Sequence, residues 1–218
     1  MALEALTYHQ LGALRGSLFA WAERFHIEPR LLAAILLTER QQYHLPEALR
    51  AIHRAGHGIL DLIGMASKSA AQYIDTTKGW SDLCAWLNCS RGFCRIKWET
   101  AETAWRMHKA RGGTLIDERI ICHHTLDADL SIAVSGLILD ELARQWEPHF
   151  PTIRGDVEIL ATLYNVSDFT NKPPHPNPAP GGSVLRSVVD GVEYIPEPFG
   201  IRAGRIYHSK MMGDFLCR

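Results

Sequence analysis

No run of about 18 apolar residues occurs in the chain, and a helix needs roughly that length to cross the hydrocarbon core of a bilayer. Charge of neither sign dominates. Lys and Arg number 23 and Asp and Glu 24, a formal net charge of −1 with histidines neutral. No global basic field is available to hold a polyanion, which argues against nucleic acid as a partner. Residues 1–10 do not show a positive stretch followed by an apolar one, the pattern of an ordinary secretory signal. Cysteines are few and odd in number: Cys84, Cys89, Cys94, Cys122 and Cys217. At least one therefore has no partner within the chain. The first three recur at five-residue intervals, wider than usual zinc-ligand spacing, and matching ligands are not evident nearby. A disulfide of Cys84 or Cys89 with Cys94, which would call for an oxidising compartment, and three buried thiols both fit this spacing.

What the chain does have is helical periodicity. Its 218 residues suit one domain, or one domain with a small appendage. Leu11, Leu14, Leu18, Trp21 and Phe25 recur every three or four residues, which predicts an amphipathic helix over 8–25. Pro29 suits the first turn of a second helix through residue 43. Residues 46–53 and 59–74 read as shorter helical segments broken by Gly56, Gly58 and Gly64, and 79–97 as loop and short extended structure. Helices follow over 99–109, ended by Gly112 and Gly113, over 127–146, and over 156–165. The character then changes. Residues 172–182 carry five prolines and two glycines, an extended linker. A β-hairpin turning at Asp190-Gly191 is expected over 184–195, then a helix over 199–215. The fold class expected is mainly α (α+β), with a principal domain over 1–171 and a loop, hairpin and helix over 172–218 packing on it.

Glu39 is the first residue with chemical interest. Leu32, Ile35, Leu36 and Glu39 stand at i, i+3, i+4 and i+7, so one helix face carries three aliphatics and then a carboxyl group. An apolar wall disfavours the ionised carboxyl. A proton held near neutral pH is what general-acid cleavage of a glycosidic bond requires. On this stripe alone, a glutamate that ends a buried face and reaches solvent is the simpler reading. Tyr43 lies one turn further along. His53 and His57 stand at i and i+4 but enclose Gly56, and His123-His124 follow Cys122. Surface histidines and a turn are the better readings of these, so no metal and no cofactor is expected. Trp80, Trp86 and Trp98 are the tryptophans nearest a cleft in sequence and can stack on sugar rings.

A second feature changes the weight given to Glu39. Residues 92–101, Gly-Phe-Cys-Arg-Ile-Lys-Trp-Glu-Thr-Ala, resemble the G-x-x-Q-I-x-P-x-T-A signature of lytic transglycosylases and goose-type lysozymes. In that family the catalytic Glu ends an upstream helix, as Glu39 does. A third family motif, A-Y-N near a helix end, resembles Leu163-Tyr164-Asn165. The three stand in the family's order and span residues 39–165. Departures are clear. Arg40 replaces the serine after the acid, Arg95 the glutamine, Trp98 the proline and Leu163 the small residue before Tyr164. An insertion fills 45–90. The resemblance implies a lysozyme-like helical domain that cleaves peptidoglycan glycan strands, with Glu39 as acid and Tyr43, Gly92, Arg95, Tyr164 and Asn165 contacting substrate. It also implies a divergent branch, such as an antibacterial effector, with a cognate immunity protein as partner, or a phage lysin. Either would be made in the cytoplasm and reach the periplasm or cell wall by a non-Sec route. A chitinase- or chitosanase-like enzyme is the nearest alternative. A non-catalytic scaffold that binds glycan or protein is another, and Arg95 is the feature that favours it.

The second carboxylate decides the reaction. Inverting glycosidases need one to activate water, whereas the transglycosylases that the chain resembles use the sugar's own 6-hydroxyl and release a 1,6-anhydro product. The goose-type aspartate position is occupied by Lys97 and Trp98, neither of which activates water. Asp61, Asp75 and Asp82 in the insertion remain. Asp61, after Gly56-x-Gly58, is the first choice, although each of the three also suits a cap or solvated turn. An insertion carrying three aspartates can restore the missing carboxylate across about 6.5–9.5 Å from the acid. The expected product of defined glycan strands is therefore the hydrolysed sugar. A product lighter by one water in mass spectrometry would assign the anhydro route instead.

Overall fold

The computed structural model describes residues 11–41, 94, 96–123, 127–167, 169, 179–182, 184–185, 188–189, 192–193 and 197–217. They are mainly helical. The order is α1 (Arg15–Arg24), α2 (Pro29–Gln41), α3 (Trp98–Ala110), α4 (Glu118–His123), α5 (Ala128–Trp146), a 3-10 turn (Ile153–Gly155), α6 (Val157–Val166), α7 (Phe199–Tyr207) and α8 (Lys210–Cys217). Four two-residue strands precede α7: β1 (Val184–Leu185), β2 (Val188–Val189), β3 (Val192–Glu193) and β4 (Glu197–Pro198). No helix among the described residues is long and apolar enough to cross a membrane.

Local chemistry sets the helix ends. The Asp127 carboxylate accepts from the Asp129 and Leu130 N–H groups and starts α5. Asp156 accepts from the Ile159 N–H and starts α6. Both satisfy donors that an α-helix leaves open at its first turn. Helix α6 stops at Ser167, in the left-handed region at φ 55°. The six-residue α4 falls where a turn was expected around His123, and it is too short for periodicity to reveal. The expected single helix over 199–215 is two helices. Between them the Ser209 hydroxyl accepts from the Met212 N–H, the N-cap bond that starts α8.

The helices pack as a closed ring: α2 on α1, α1 on α5, α5 on α6, α6 on α7, and α7 back on α2, with α8 also against α2. Helix α2 differs from expectation in one respect. Leu31, Leu32, Ala33, Ala34, Ile35, Leu36, Leu37 and Thr38 are all buried, so the helix has no solvent face over this stretch. The reason is long-range. α7 and α8 from the far end of the chain cover a second side, with Phe199, Ala203 and Met212 wholly buried in the same core. The Arg30 guanidinium, at the start of α2, donates to the Tyr207 carbonyl at 2.6 Å and so satisfies an end of α7. Within the expected hairpin range, Val188 pairs opposite Glu193 and Val189 opposite Val192 in antiparallel register. Antiparallel pairing also occurs outside the expected range, Leu185 opposite Glu197 and Val184 opposite Pro198.

The α6–α7 crossing depends on two glycines. A Cβ on Gly200 would lie 2.1 Å from Thr162 Oγ1 and 2.3 Å from the Glu158 carbonyl oxygen, and one on Gly204 would lie 2.6 Å from Glu158 Cγ. Helix propensity alone favours alanine over glycine by up to about 1 kcal/mol. Here backbone stands in the way, so Gly200→Ala should destabilise the protein by about 1–3 kcal/mol. Gly213, in α8, has nothing within 4 Å of an added Cβ. Gly213→Ala should stabilise by about 0.4–1 kcal/mol. Chemical denaturation of the two variants checks the opposite signs.

Candidate functional site

Glu39 stands in the last turn of α2, after the buried run that starts at Leu31, and is 6% exposed. Its burial follows from the ring of helices rather than from its own stripe. Tyr164 stands near the end of α6 and is 5% exposed. Cys94 and Ile96, from the segment that leads into α3, are buried too. These belong to the three separate motifs singled out in the sequence.

Hydrogen bonds lace that middle segment to its neighbours. The Cys94 N–H donates to Ser131 Oγ on α5 at 3.0 Å. The Tyr164 hydroxyl lies 3.1 Å from Ser135 Oγ on α5 and 3.5 Å from the Cys94 carbonyl. Thr100 Oγ1, in the first turn of α3, donates to Ser167 Oγ just past α6 at 3.0 Å. Residues 94–100 are thus fixed to α5 and α6 at both ends. Trp98, the first residue of α3, is buried, while Lys97 before it is exposed. Burial raises the Tyr164 phenol well above its ordinary ionisation range, and the charges of Cys94 and Glu39 push it further in the same direction. Glu39 and Tyr164 are therefore within electrostatic reach of each other.

Asn165 is half-buried on the next position of α6, and a Cβ on Gly182 would lie 3.0 Å from its Oδ1. It is set against the stretch that follows the proline-rich segment. Tyr43, Asp61, Gly92 and Arg95 lie outside the described residues, as do Asp75, Asp82, Cys84, Cys89, Trp80, Trp86, His53 and His57.

A second buried polar cluster was only half visible in the sequence. Glu141, on α5, is 0% exposed. Its carboxylate pairs with Arg111 Nη2 and lies 3.4 Å from His108 Nδ1. Burial first, and the Arg111 cation second, lower the His108 pKa below its ordinary 6.5. Gly113 sits directly on the His108 ring, where a Cβ would lie 2.2 Å from Nε2. One residue earlier, Asp140 takes Arg144 Nε and Arg154 Nη2, each at 2.8 Å. A glutamate on an apolar face is the sequence signal for such a cluster. Its partner comes from the turn after α3, which no local pattern connects to α5. The cluster clamps α3 onto α5 and uses up its own charges.

No protein-family model, curated protein or solved structure matches the chain.

The buried phenol has a consequence for stability. Tyrosines of the unfolded chain ionise near their ordinary value of 10.0, whereas Tyr164 stays protonated in the folded state. Its contribution is fully present below that pH and is lost as the pH rises toward the folded-state value. Tyr207, pushed up to about 12 chiefly by burial and then by its bond to Glu28, acts in the same direction. Folding stability should fall as the pH rises from about 10 to about 12, and the fall should be shallower in Tyr164→Phe. Urea midpoints across that range give the slope, and an unchanged slope in the variant would mean an accessible phenol.

Proposed function

We propose that the chain is a glycosidase that cuts the β-1,4 bond between N-acetylmuramic acid and N-acetylglucosamine in peptidoglycan, with Glu39 as general acid. The observation that carries this reading is the convergence of three motifs far apart in sequence. Glu39 ends α2, buried within electrostatic reach of the Tyr164 phenol of α6, and that phenol sits against the Cys94 peptide of the segment entering α3. A carboxyl group 6% exposed, beyond a helix stretch of aliphatic side chains, is the setting in which such a group holds a proton for a leaving oxygen. A lysozyme-like arrangement of the mainly helical domain belongs to the same proposal. Its partners are the glycan strands and, for an antibacterial effector, a cognate inhibitor protein.

A second reading is a glycan-binding scaffold without catalysis, favoured by Arg95 at the signature's glutamine position. One measurement separates the two. The purified chain should clear a suspension of bacterial cell walls, and Glu39→Gln should lower the rate by about 10²–10⁴-fold while keeping the wild-type melting profile. Clearing at the wild-type rate by a folded Glu39→Gln protein would remove Glu39 as the acid. Binding to cell walls without clearing by the wild type would favour the scaffold.

A further inference from the structure

Two serines stand one turn apart in the buried middle of α5, and both face the candidate site. Ser131 and Ser135 are each 0% exposed. Ser131 Oγ accepts from the Cys94 N–H at 3.0 Å, and Ser135 Oγ lies 3.1 Å from the Tyr164 hydroxyl. A proton count gives the direction of the second bond. A serine hydroxyl has one hydrogen to donate and two lone pairs. Ser135 Oγ donates to the Ser131 carbonyl at 3.1 Å. With its hydrogen used there, Ser135 must accept, so Tyr164 donates to it. The opposite arrangement would break the bond to Ser131 and send the phenolic hydrogen to the Cys94 carbonyl at 3.5 Å, the weakest of these contacts. With its hydrogen turned toward α5, the Tyr164 oxygen keeps its lone pairs for a donor on its other side.

We infer that Ser135, backed by Ser131, is a positioning residue for the cleavage reaction: it takes the Tyr164 hydrogen, fixes which way the phenol points, and holds the Cys94 peptide and Tyr164 in register with Glu39. The inference rests on the glycosidase reading. Serines inside an α-helix usually return their hydroxyl to a carbonyl one turn back and have no further consequence. Ser135 does so and also serves a buried phenol on another helix. The Ser131 hydroxyl meanwhile holds a backbone amide brought from outside α5. Neither residue touches substrate in this role. Ser135 acts through the Tyr164 phenol, and Ser131 through the Cys94 peptide beside it.

The test uses the full chain and purified peptidoglycan, with rates for the wild type, Ser135→Ala, Ser135→Thr, Tyr164→Phe and the Ser135→Ala/Tyr164→Phe double variant. Ser135→Ala should lower kcat by about 10- to 100-fold with KM nearly unchanged. Ser135→Thr, which keeps the hydroxyl, should recover most of that loss. The double variant should be no slower than Tyr164→Phe alone, because both changes remove the same fixed phenol. If Ser135→Ala does not fold, Ser135→Cys, close in volume and a weaker acceptor, takes its place with the same expected pattern. Losses that multiply in the double variant, a change in KM alone, or a wild-type rate in Ser135→Ala would overturn the positioning role. A wild type that cleaves, with an inactive Glu39→Gln, leaves the glycosidase reading standing in each of those cases. A wild type that releases nothing from peptidoglycan ends that reading and the role of Ser135 with it.

Discussion

Everything in this fold follows from the need to enclose α2. Its middle is aliphatic on every side, and a helix of that kind is stable in water only when other elements surround it. α1 covers one flank, and α7 with α8 covers another. The apolar surface removed is large, and each aliphatic side chain contributes about 1.5–3 kcal/mol on burial. The cost is that polar groups attached to the same helix go inside with it. Thr38 meets that cost locally by donating to the Ala34 carbonyl at 2.7 Å. Glu39 is carried into a partly dry place by the seven aliphatic or alanine neighbours before it. Its position is thus a by-product of packing, and its chemistry follows from its position.

Helix α5 shows the complementary arrangement. It is as buried as α2 but carries Ser131, Ser135, Asp140 and Glu141 in its interior. Each finds a partner on a different element: the Cys94 peptide, Tyr164 of α6, Arg154 in the 3-10 turn, and Arg111 after α3. Directional bonds of this sort add little net stability, yet leaving one partner unmatched is expensive. They therefore fix angles and registers among helices that apolar contact would only hold together. The lower half of α5 sets the candidate site, and the upper half locks α3 in place.

Much of this was legible in the sequence where a local rule governs. The helices expected over 127–146 and 156–165 match α5 and α6, and the pairing of Val189 with Val192 falls within the range expected for a hairpin. Rules of that range fail where the partner is far away. Leu32, Ile35 and Leu36 implied one buried face on α2, because nothing near them foretells that Phe199 and Met212 will close the other. Ser135 carried no signal, since a helical serine has the same local preferences whether or not a phenol lies beyond it. The nearness of Glu39 to Tyr164 came from the order of motifs, not from any physical pattern in either segment.

The closure of the ring by α7 and α8 bears on how the chain comes into being. A ribosome delivers α2 well before the two helices that cover it. Throughout synthesis, at about 5–20 residues per second, the most apolar stretch of the protein waits without its lining. Contacts between residues near 30 and residues near 200 must also await closure of almost the whole chain, which slows collapse to the final state. The surroundings of Glu39 are complete only once α7 and α8 have packed on α2, so the group acquires its environment through contacts that span most of the described fold.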